Sequence, residues 1–418
     1  MNRSITVIGA GPAGMTAAIR AAGAGGRVLL LEHNDRVGKK LLSTGNGKCN
    51  ITNEHMAPSC FHSSCPEFVE AALSLFGKDD ALAFMNEIGV WTRLRQGGYY
   101  PRSAQAPAVL DALRFHCDAL GIRTLTRTEA TDICPARTDG GFTVRTNHPE
   151  RGRETFFSQR VILAAGSKAA PKTGSDGSGY RLAGKLGHRI LTPLPALVQL
   201  KSLPAVFKPL AGLRVDVRAA LFCRGTRVLE EQGELQCVDY GLSGIPIFQL
   251  SGPAIRLLEA GEKPEIALDF VPELDEEIFC SVLLGRREAL SYLDCENFLT
   301  GFFPKPLAGS FLRAARIPLR RSCLEPEESD WRRLCRAAKE FRVPILGYNS
   351  FDRAQTCSGG ADPSEVDCKT MESKRIPGLY FAGEILDVDG ICGGYNLQWA
   401  WTSGSLAGSA AAGKGGPL

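Results

Sequence analysis

The sequence of 418 residues lacks several features that mark particular classes of protein. Its fourteen cysteines include no Cys-x-x-Cys pair, so a dithiol centre of the disulfide-reductase type is not indicated. It has only six histidines, and none combines with a cysteine at the spacing of a zinc site. No apolar run approaches the roughly 20 residues that a membrane-spanning helix needs. These absences argue against a metal site and against a membrane span.

The sequence also lacks a secretory signal and a strong excess of charge. The first apolar stretch, residues 5–18, opens without a basic segment and is interrupted by glycines and a proline, which is unlike a signal peptide. We therefore expect a cytoplasmic protein whose cysteines are mostly buried free thiols. The formal net charge is only +4, with lysine and arginine scattered among acidic residues. A nucleic-acid partner is not expected from such a distribution.

The length and the local patterns predict more than one domain, because 418 residues exceed what one compact core holds. Residues 4–31 read as a strand, a glycine turn, an alanine-rich helix and a second strand, which is a βαβ unit. From about residue 191 the chain changes to short strand-like pieces separated by proline and glycine. Residues 272–316 and 325–339 instead show helical spacing, which predicts a helical subdomain inside a β-rich region.

The turn of the βαβ unit carries a dinucleotide-binding fingerprint of the form G-x-G-x-x-G. An acidic residue, Glu32, ends the next strand, at the distance from which such residues bind a ribose. The glycines allow a tight turn, close approach to a pyrophosphate and close helix packing, and the helix N terminus favours negative charge. The six fingerprint residues are Gly9, Ala10, Gly11, Pro12, Ala13 and Gly14.

Two further segments favour FAD over NAD as the bound dinucleotide. Residues 39–53 form a glycine-rich, basic, amide-rich loop, whereas an ordinary NAD dehydrogenase continues into a helix at this point. Such a loop can line an anionic cofactor. The alternative is that it is a solvated surface loop. Near the other end, a strand finishes in Gly383-Glu384, and Gly393-Gly394 precede a final helix. Glycines before a helix leave backbone donors suited to flavin phosphate, ribityl or ring oxygens.

Together these motifs resemble the BaiN-like flavoproteins, also called YhiN-like or aminoacetone oxidase-like. The resemblance spans essentially the whole chain and includes residues 163–167, 174–180, 241–244 and the long block 378–401. Two departures are present. Val238, Asp239 and Tyr240 stand where the family commonly has Thr-His, and residues 356–361 read Thr-Cys-Ser-Gly-Gly-Ala in place of Thr-x-Gly-Gly-Val.

The resemblance implies an α/β fold with a two-ended, glutathione-reductase-like Rossmann domain that binds FAD. The expected boundaries are 1–190 plus 350–418 for the FAD-binding domain, 191–271 plus 317–349 for a β-barrel-like inserted domain, and 272–316 for a helical subdomain. Beyond the fingerprint and Glu32, the implied FAD-binding residues are His33, Lys39, Lys40, Ser43, Gly45, Asn46, Ala130, Ala165, Gly166, Gly383, Glu384, Gly393, Gly394, Tyr395, Asn396 and Leu397.

The resemblance implies an oxidoreductase that uses NAD(P)H to reduce a conjugated C=C bond in a 3-oxo steroid or bile-acid-type substrate. The sequence has no second dinucleotide fingerprint, so NAD(P)H is expected to visit the flavin transiently. Two alternatives stay open: an amine or aminoketone oxidase that uses oxygen, and a flavin-dependent protein that modifies or binds RNA.

No catalytic residue can be assigned from the sequence, and neither can the oligomeric state. Tyr99, Tyr240 and Tyr348 are candidate proton donors, although each is more typical of a packing tyrosine. The other candidates lie near cofactor motifs: Cys49 and Cys392, either for a covalent flavin link or as small fillers, and Asp387 and Asp389, either beside the flavin or as turn residues.

Overall fold

The computed structural model describes residues 3–136 and 140–413. The chain divides into two compact units. One joins the two ends of the chain, up to Ala196 and again from Phe351, and the other is Leu197–Ser350. The first division falls at residue 196 rather than at the expected 190, because strand Ile190–Ala196 pairs with strand Thr356–Ala361 of the two-ended unit.

The two-ended unit contains a five-stranded parallel sheet. Its strands follow the order Leu379–Phe381, Arg160–Leu163, Ser4–Ile8, Arg27–Leu31 and Arg123–Leu125. The three central strands are rich in valine, isoleucine and leucine that are almost fully buried, as expected for a parallel sheet covered on both faces. The predicted α/β class with a Rossmann-type parallel sheet is confirmed.

The C-terminal helix, Tyr395–Ala412, packs directly on the fingerprint helix, Pro12–Gly23. A Cβ atom at Gly404 would lie 2.6 Å from the carbonyl oxygen of Ala13, and one at Gly408 would collide with the carbonyl oxygen of Ala17. The two backbones therefore approach to a distance that only glycine permits. This contact holds the C-terminal helix against the first helix of the N-terminal βαβ unit.

The other elements of this unit are short helices and small antiparallel sheets. The helices are Pro66–Leu75, Lys78–Glu87, Ala106–Ala119 and Ser178–Lys185. A three-stranded sheet contains Glu129–Pro135, Phe142–His148 and Gly152–Ser158, and another contains Thr52–Asn53, Gly98–Pro101 and Thr92–Arg95. Strand Phe61–His62 pairs with Asp389–Gly390.

The inserted unit contains a seven-stranded antiparallel sheet. The strand order is Phe341–Pro344, Glu265–Asp269, Arg214–Cys223, Thr226–Val238, Gly241–Gly244, Leu200–Lys201 and Gly347–Tyr348. Only Ile345 and Leu346 separate the first and last strands of this order along the chain. One extended segment therefore supplies both edges of the sheet.

Helices fill the chain between two neighbouring strands of this sheet. They are Glu276–Arg286, Cys295–Phe298, Lys305–Ala315 and Glu328–Lys339; Pro204–Phe207 and Ile245–Glu259 lie earlier in the unit. The helical stretch thus extends beyond the expected end at residue 316, because helix Glu328–Lys339 buries Trp331 and Leu334 within it. Among the described residues, no helix is long and apolar enough to cross a membrane.

The close helix contact predicts opposite effects for two glycine-to-alanine changes. Gly408→Ala should lower the free energy of unfolding by about 1–3 kcal/mol, because the new Cβ meets the backbone of Ala17. Gly285→Ala should raise it by about 0.5–1 kcal/mol, because that helical glycine has no atom in the described chain within 4 Å of its Cβ position. Urea unfolding of both variants tests this, and equal effects would contradict the packing.

Candidate functional site

The fingerprint turn has the geometry that its glycines predict. Gly9 has φ +100°, and its Cβ position would collide with the carbonyl oxygen of Ala164; a Cβ at Gly14 would collide with the carbonyl oxygen of Gly9. Gly11 differs from both, because its Cβ position has no atom of the described chain within 4 Å. Two of the glycines are thus required by the protein's own backbone, while Gly11 borders open space at the start of the helix.

Glu32 lies beside this turn and is buried. Its carboxylate accepts hydrogen bonds from the backbone N–H of Ala10 at 3.0 Å and of Asn34 at 2.8 Å. The Asn34 side chain donates to it as well, and Lys39 Nζ donates to the Asn34 amide oxygen at 3.1 Å. Asn34 was not predicted, because nothing in a single sequence distinguishes it from other turn asparagines.

A cavity of about 270 Å³ opens next to Glu32. Its lining residues are His33, Asn34, Arg127, Glu129, Asn147 and Pro149. Ala130, a predicted FAD-binding residue, is the buried residue that follows Glu129 on its strand. Of the predicted positions, His33 lines this cavity, whereas Glu32 and Ala130 are next to lining residues in the chain. Arg127 is a lining residue that was not predicted.

Lys40 and Glu384 lie 344 positions apart in the chain but form an ion pair, with Nζ to Oε2 at 2.5 Å. Ser167 Oγ donates to the same carboxylate oxygen at 2.9 Å. Gly383, next to Glu384, approaches the fingerprint helix so closely that a Cβ would lie 2.7 Å from the Ala13 Cβ. Ala165 and Gly166 come just before Ser167 at the end of strand Arg160–Leu163. Residues from both ends and from the middle of the chain thus meet here.

The N terminus of the C-terminal helix docks on the amide-rich loop. Gly394 is in the left-handed region, with φ +99°, and a Cβ there would lie 2.9 Å from the backbone of Thr52. Asn53 donates to the Gly393 carbonyl at 2.9 Å. The Asn396 side chain bonds to both the N–H and the carbonyl of Gly390, each at 2.8 Å. These contacts hold the helix start in one position.

Two predicted residues on this helix turn their side chains into the protein. Tyr395 is buried, with its ring 5.8 Å from that of Phe61 in an edge-on arrangement. Burial, together with a hydrogen bond to Cys60, raises the pKa of Tyr395. Leu397 is buried as well. Any contact of these two residues with a cofactor is therefore expected from their backbone atoms.

The loop that precedes these contacts has an irregular backbone. Within the short helix Leu41–Gly47, Gly45 and Asn46 adopt left-handed conformations, with φ of 55° and 53°. Ser43 Oγ donates to the Lys40 carbonyl at 2.8 Å, and Asn46 is exposed. Asn50 Oδ1 is buried without a hydrogen-bond partner among the described residues, and it lies 3.0 Å from the Gly394 Cβ position.

These features fit a bound dinucleotide. The open space at Gly11 leaves room for a phosphate near a helix N terminus, which attracts anions. The unpaired Asn50 oxygen beside Gly394 needs a donor from outside the described chain, because an unsatisfied buried acceptor is costly. Both features lie where the sequence motifs predict cofactor contacts.

The geometry gives the other candidates structural partners. Cys49 is fully buried, and burial raises its pKa to about 12, which favours a packing role over a covalent flavin link. Its counterpart Cys392 is half-buried. Asp387 accepts backbone hydrogen bonds from Gly359 at 2.8 Å and Ser64 at 2.9 Å. Asp387 therefore links strand Thr356–Ala361 to the loop at Ser64.

The candidate proton-donor tyrosines are also engaged. Tyr348 donates to Glu259 at 2.6 Å, and that hydrogen bond, with burial, raises its pKa to about 12. The Tyr240 hydroxyl accepts from the Asn349 amide at 2.8 Å. Tyr99 lies on a short strand opposite Thr52. Tyr348 is thus a poor proton donor, since its proton is held by a carboxylate.

A buried serine, a buried histidine and a half-buried glutamate have the spacing of a hydrolase triad. Ser373 Oγ is 2.9 Å from His188 Nε2, and Glu365 Oε2 is 3.0 Å from His188 Nδ1. However, Ser373 Oγ also accepts the backbone N–H groups of Arg375 and Ile376, and the His188 side chain is 0% exposed. A serine engaged in this way is not free to attack a substrate, so the cluster is structural.

This cluster makes stability depend on pH. Burial lowers the pKa of His188 below its ordinary value, against the opposing charge of Glu365. Below about pH 6.5 the unfolded chain then binds more protons at this site than the folded chain. The free energy of unfolding therefore decreases as the pH is lowered. We expect His188→Gln to remove part of the loss between about pH 6.5 and 5.5. Urea unfolding across this range measures it; the exposed His55→Gln should keep the native slope.

The open space at Gly11 predicts a selective loss of cofactor. Gly11→Val should leave the stability of the apoprotein nearly unchanged, because its side chain begins in open space. Its FAD affinity should fall tenfold or more, corresponding to about 1–3 kcal/mol of steric cost. Titration of apoprotein with FAD, followed by flavin fluorescence, measures this. Native affinity in the variant would show that no phosphate approaches Gly11.

The Rossmann-type fold and these motifs define a class, the FAD-dependent oxidoreductases, and the comparisons with known proteins support this assignment. The family described as HI0933-like protein Rossmann domain matches residues 3–410, and the chain belongs to this family.

Two relatives cover nearly the whole chain. A "3-dehydro-bile acid delta(4,6)-reductase" of Clostridium scindens is 42% identical over 416 residues, which is 99% of each chain. A "Ribosomal RNA dihydrouridine synthase" of Escherichia coli is 31% identical over 400 residues, which is 95% of each chain. Among solved structures, the 3-ketosteroid delta1-dehydrogenase of Sterolibacterium denitrificans is similar in fold, with a TM-score of 0.53 and 13% identity over 98% of this chain and 100% of that one.

Proposed function

We propose that this FAD-dependent oxidoreductase uses NAD(P)H to reduce a conjugated carbon–carbon double bond in a 3-oxo steroid or bile-acid-type substrate. The observation that carries the proposal is the 42% identity to a bile-acid reductase over 99% of both chains. Because the alignment covers nearly all of both chains, neither chain has a large insertion or deletion that would change the substrate site.

The names of the two relatives describe the same kind of chemistry. Each denotes reduction of a ring double bond in a molecule that also has a ring carbonyl. Reduction of such a bond needs a hydride at one carbon and a proton at its neighbour, and a donor that polarises the carbonyl accelerates it. A proton source beside the cofactor is therefore part of the proposed site.

In this proposal, the fingerprint turn and Gly11 hold the pyrophosphate, and Glu32 with the adjacent recess holds the adenosine. Lys40, Ser167 and Glu384 lie along the linking chain, and the start of the C-terminal helix faces the ring. FAD, when bound, supplies hydride transfer. The protein's residues orient it and exclude water. The sequence shows no second fingerprint, so NAD(P)H binds transiently.

We also propose that the inserted sheet is barrel-like and carries a helical subdomain. The single segment that supplies both sheet edges supports barrel closure. A cytoplasmic location is proposed because the cysteines form no disulfide with one another in the part of the chain that the structure describes.

RNA is the second candidate substrate, and the Escherichia coli relative is the observation that favours it. The charge distribution weighs against RNA. Several exposed arginines of the helical segment pair with carboxylates, as in Arg321–Glu325, Arg332–Glu328 and Arg336–Glu276. Paired arginines contribute less to the field that attracts phosphates. We therefore rank the steroid-type substrate first.

Anaerobic visible spectroscopy tests the proposal. We expect the oxidised flavin spectrum of the holoprotein to bleach with NADH or NADPH, and to recover when a 3-oxo-Δ4 steroid acid is added. Mass spectrometry of the steroid should show a gain of two hydrogens. A saturated steroid acid is the control, and it should leave the flavin reduced.

Other outcomes point to the alternatives. Recovery with a ribosomal RNA fragment but not with the enone, together with dihydrouridine in the RNA, would replace the steroid by RNA. A flavin that NAD(P)H leaves oxidised, but that a small amine reduces with consumption of oxygen, would replace reduction by amine oxidation.

A further inference from the structure

A histidine and a buried carboxylate face each other beside the start of the C-terminal helix. Strands Phe61–His62 and Asp389–Gly390 pair antiparallel, with His62 directly opposite Asp389. His62 Nδ1 is 3.4 Å from Asp389 Oδ2. The Asp389 side chain is 4% exposed, whereas that of His62 is 32% exposed. The carboxylate therefore faces one ring nitrogen from inside the protein, and part of the ring stays accessible.

This pair differs from an ordinary surface ion pair. Exposed pairs add little to stability, and burial of a carboxylate is costly enough that an apolar residue of similar volume often serves stability better. Asp389 nevertheless occupies an interior position. Such an arrangement is typical of a carboxylate that orients a functional histidine.

The pair is fastened to the predicted flavin-binding segment. Gly390, next to Asp389, is held at its N–H and its carbonyl by the Asn396 side chain in the first turn of the helix. Ile391 N–H donates to the Cys60 carbonyl at 3.0 Å, which closes the strand pair on its other side. His62 is thereby fixed to the same short segment that contains Gly393 and Gly394.

We infer that His62 is the acid that protonates the substrate in the proposed reduction and that Asp389 is its positioning residue. The inference rests on the proposed function. The β-carbon receives a hydride, with two electrons, from the reduced cofactor. The Nε2–H bond of His62 breaks and the proton forms the new C–H bond at the α-carbon. The imidazole then takes a proton from water through its accessible side, and NAD(P)H restores the electrons.

Separate measurement of the two half-reactions tests this inference. NADH-reduced protein is mixed with a 3-oxo-Δ4 steroid acid, and the return of the oxidised spectrum is timed. Relative to the step with NADH, we expect the enone step to slow by about 100-fold in His62→Gln and about tenfold in Asp389→Asn. Added imidazole should partly restore the enone step in His62→Ala. The exposed His55→Gln is the matched control and should behave as the native protein.

A second readout needs neither flavin turnover nor substrate. The NMR spectrum of protein with ¹⁵N-labelled histidine gives this readout. The His62 signals are identified as those absent from the spectrum of His62→Gln. We expect the His62 ring signals to shift and broaden in Asp389→Asn, because the carboxylate that faces Nδ1 and orients the ring is lost. An unchanged signal would remove Asp389 as the positioning residue.

The outcomes separate this inference from the proposed function. If the native protein reacts with the enone and His62→Gln reacts equally fast, His62 is not the acid, although the proposed function stands. If both half-reactions slow together and imidazole restores neither, the pair has only a structural role. If the native protein does not react with any enone, the proposed function fails and the role of His62 fails with it.

Discussion

The arrangement of the site depends on the contact between the first and last helices of the chain. Gly404 and Gly408 let the C-terminal helix approach the backbone of the fingerprint helix at Ala13 and Ala17. Because helix packing at such short range leaves little freedom of position, the start of the last helix is held relative to the fingerprint turn. Gly383, earlier in the chain, is joined to the same helix, because its N–H donates to Ser403 Oγ and its carbonyl accepts from the Trp399 indole N–H.

The polar contacts of the site follow from this packing. Lys40 pairs with Glu384, Asn53 bonds to Gly393, and His62 faces Asp389. Each pair joins the N-terminal segment of the chain to its C-terminal segment. The candidate FAD site and the proposed acid thus lie in the same region of contact between the N-terminal and C-terminal segments of the chain.

Much of the fold was readable from local patterns. The βαβ unit, the fingerprint and the late Gly-Glu strand are short segments whose glycines and apolar runs have local steric causes. The division of the chain was less precise. Strand Ile190–Ala196 belongs with Thr356–Ala361, and a strand partner so far away in the chain is not revealed by periodicity. The helical spacing of residues 325–339 did predict helix Glu328–Lys339, although the expected helical subdomain ended at residue 316.

The site shows the same limit. The sequence pointed to Lys40 and to Glu384 separately, but it did not reveal that they form an ion pair. It did not single out Asn34 or Asn50, whose significance comes from a buried carboxylate and an unpaired oxygen. It considered Asp389 only as a turn or flavin-side residue and passed over His62.

The sequence by itself determined the cofactor class, because the fingerprint acts through steric and electrostatic features of a few adjacent residues. The tertiary structure alone decided which side chains face one another. Hydrogen bonds and ion pairs extend only about 3 Å, whereas the partners here are separated by more than 300 positions along the chain. Only the folding of one end of the chain onto the other brings them within that distance.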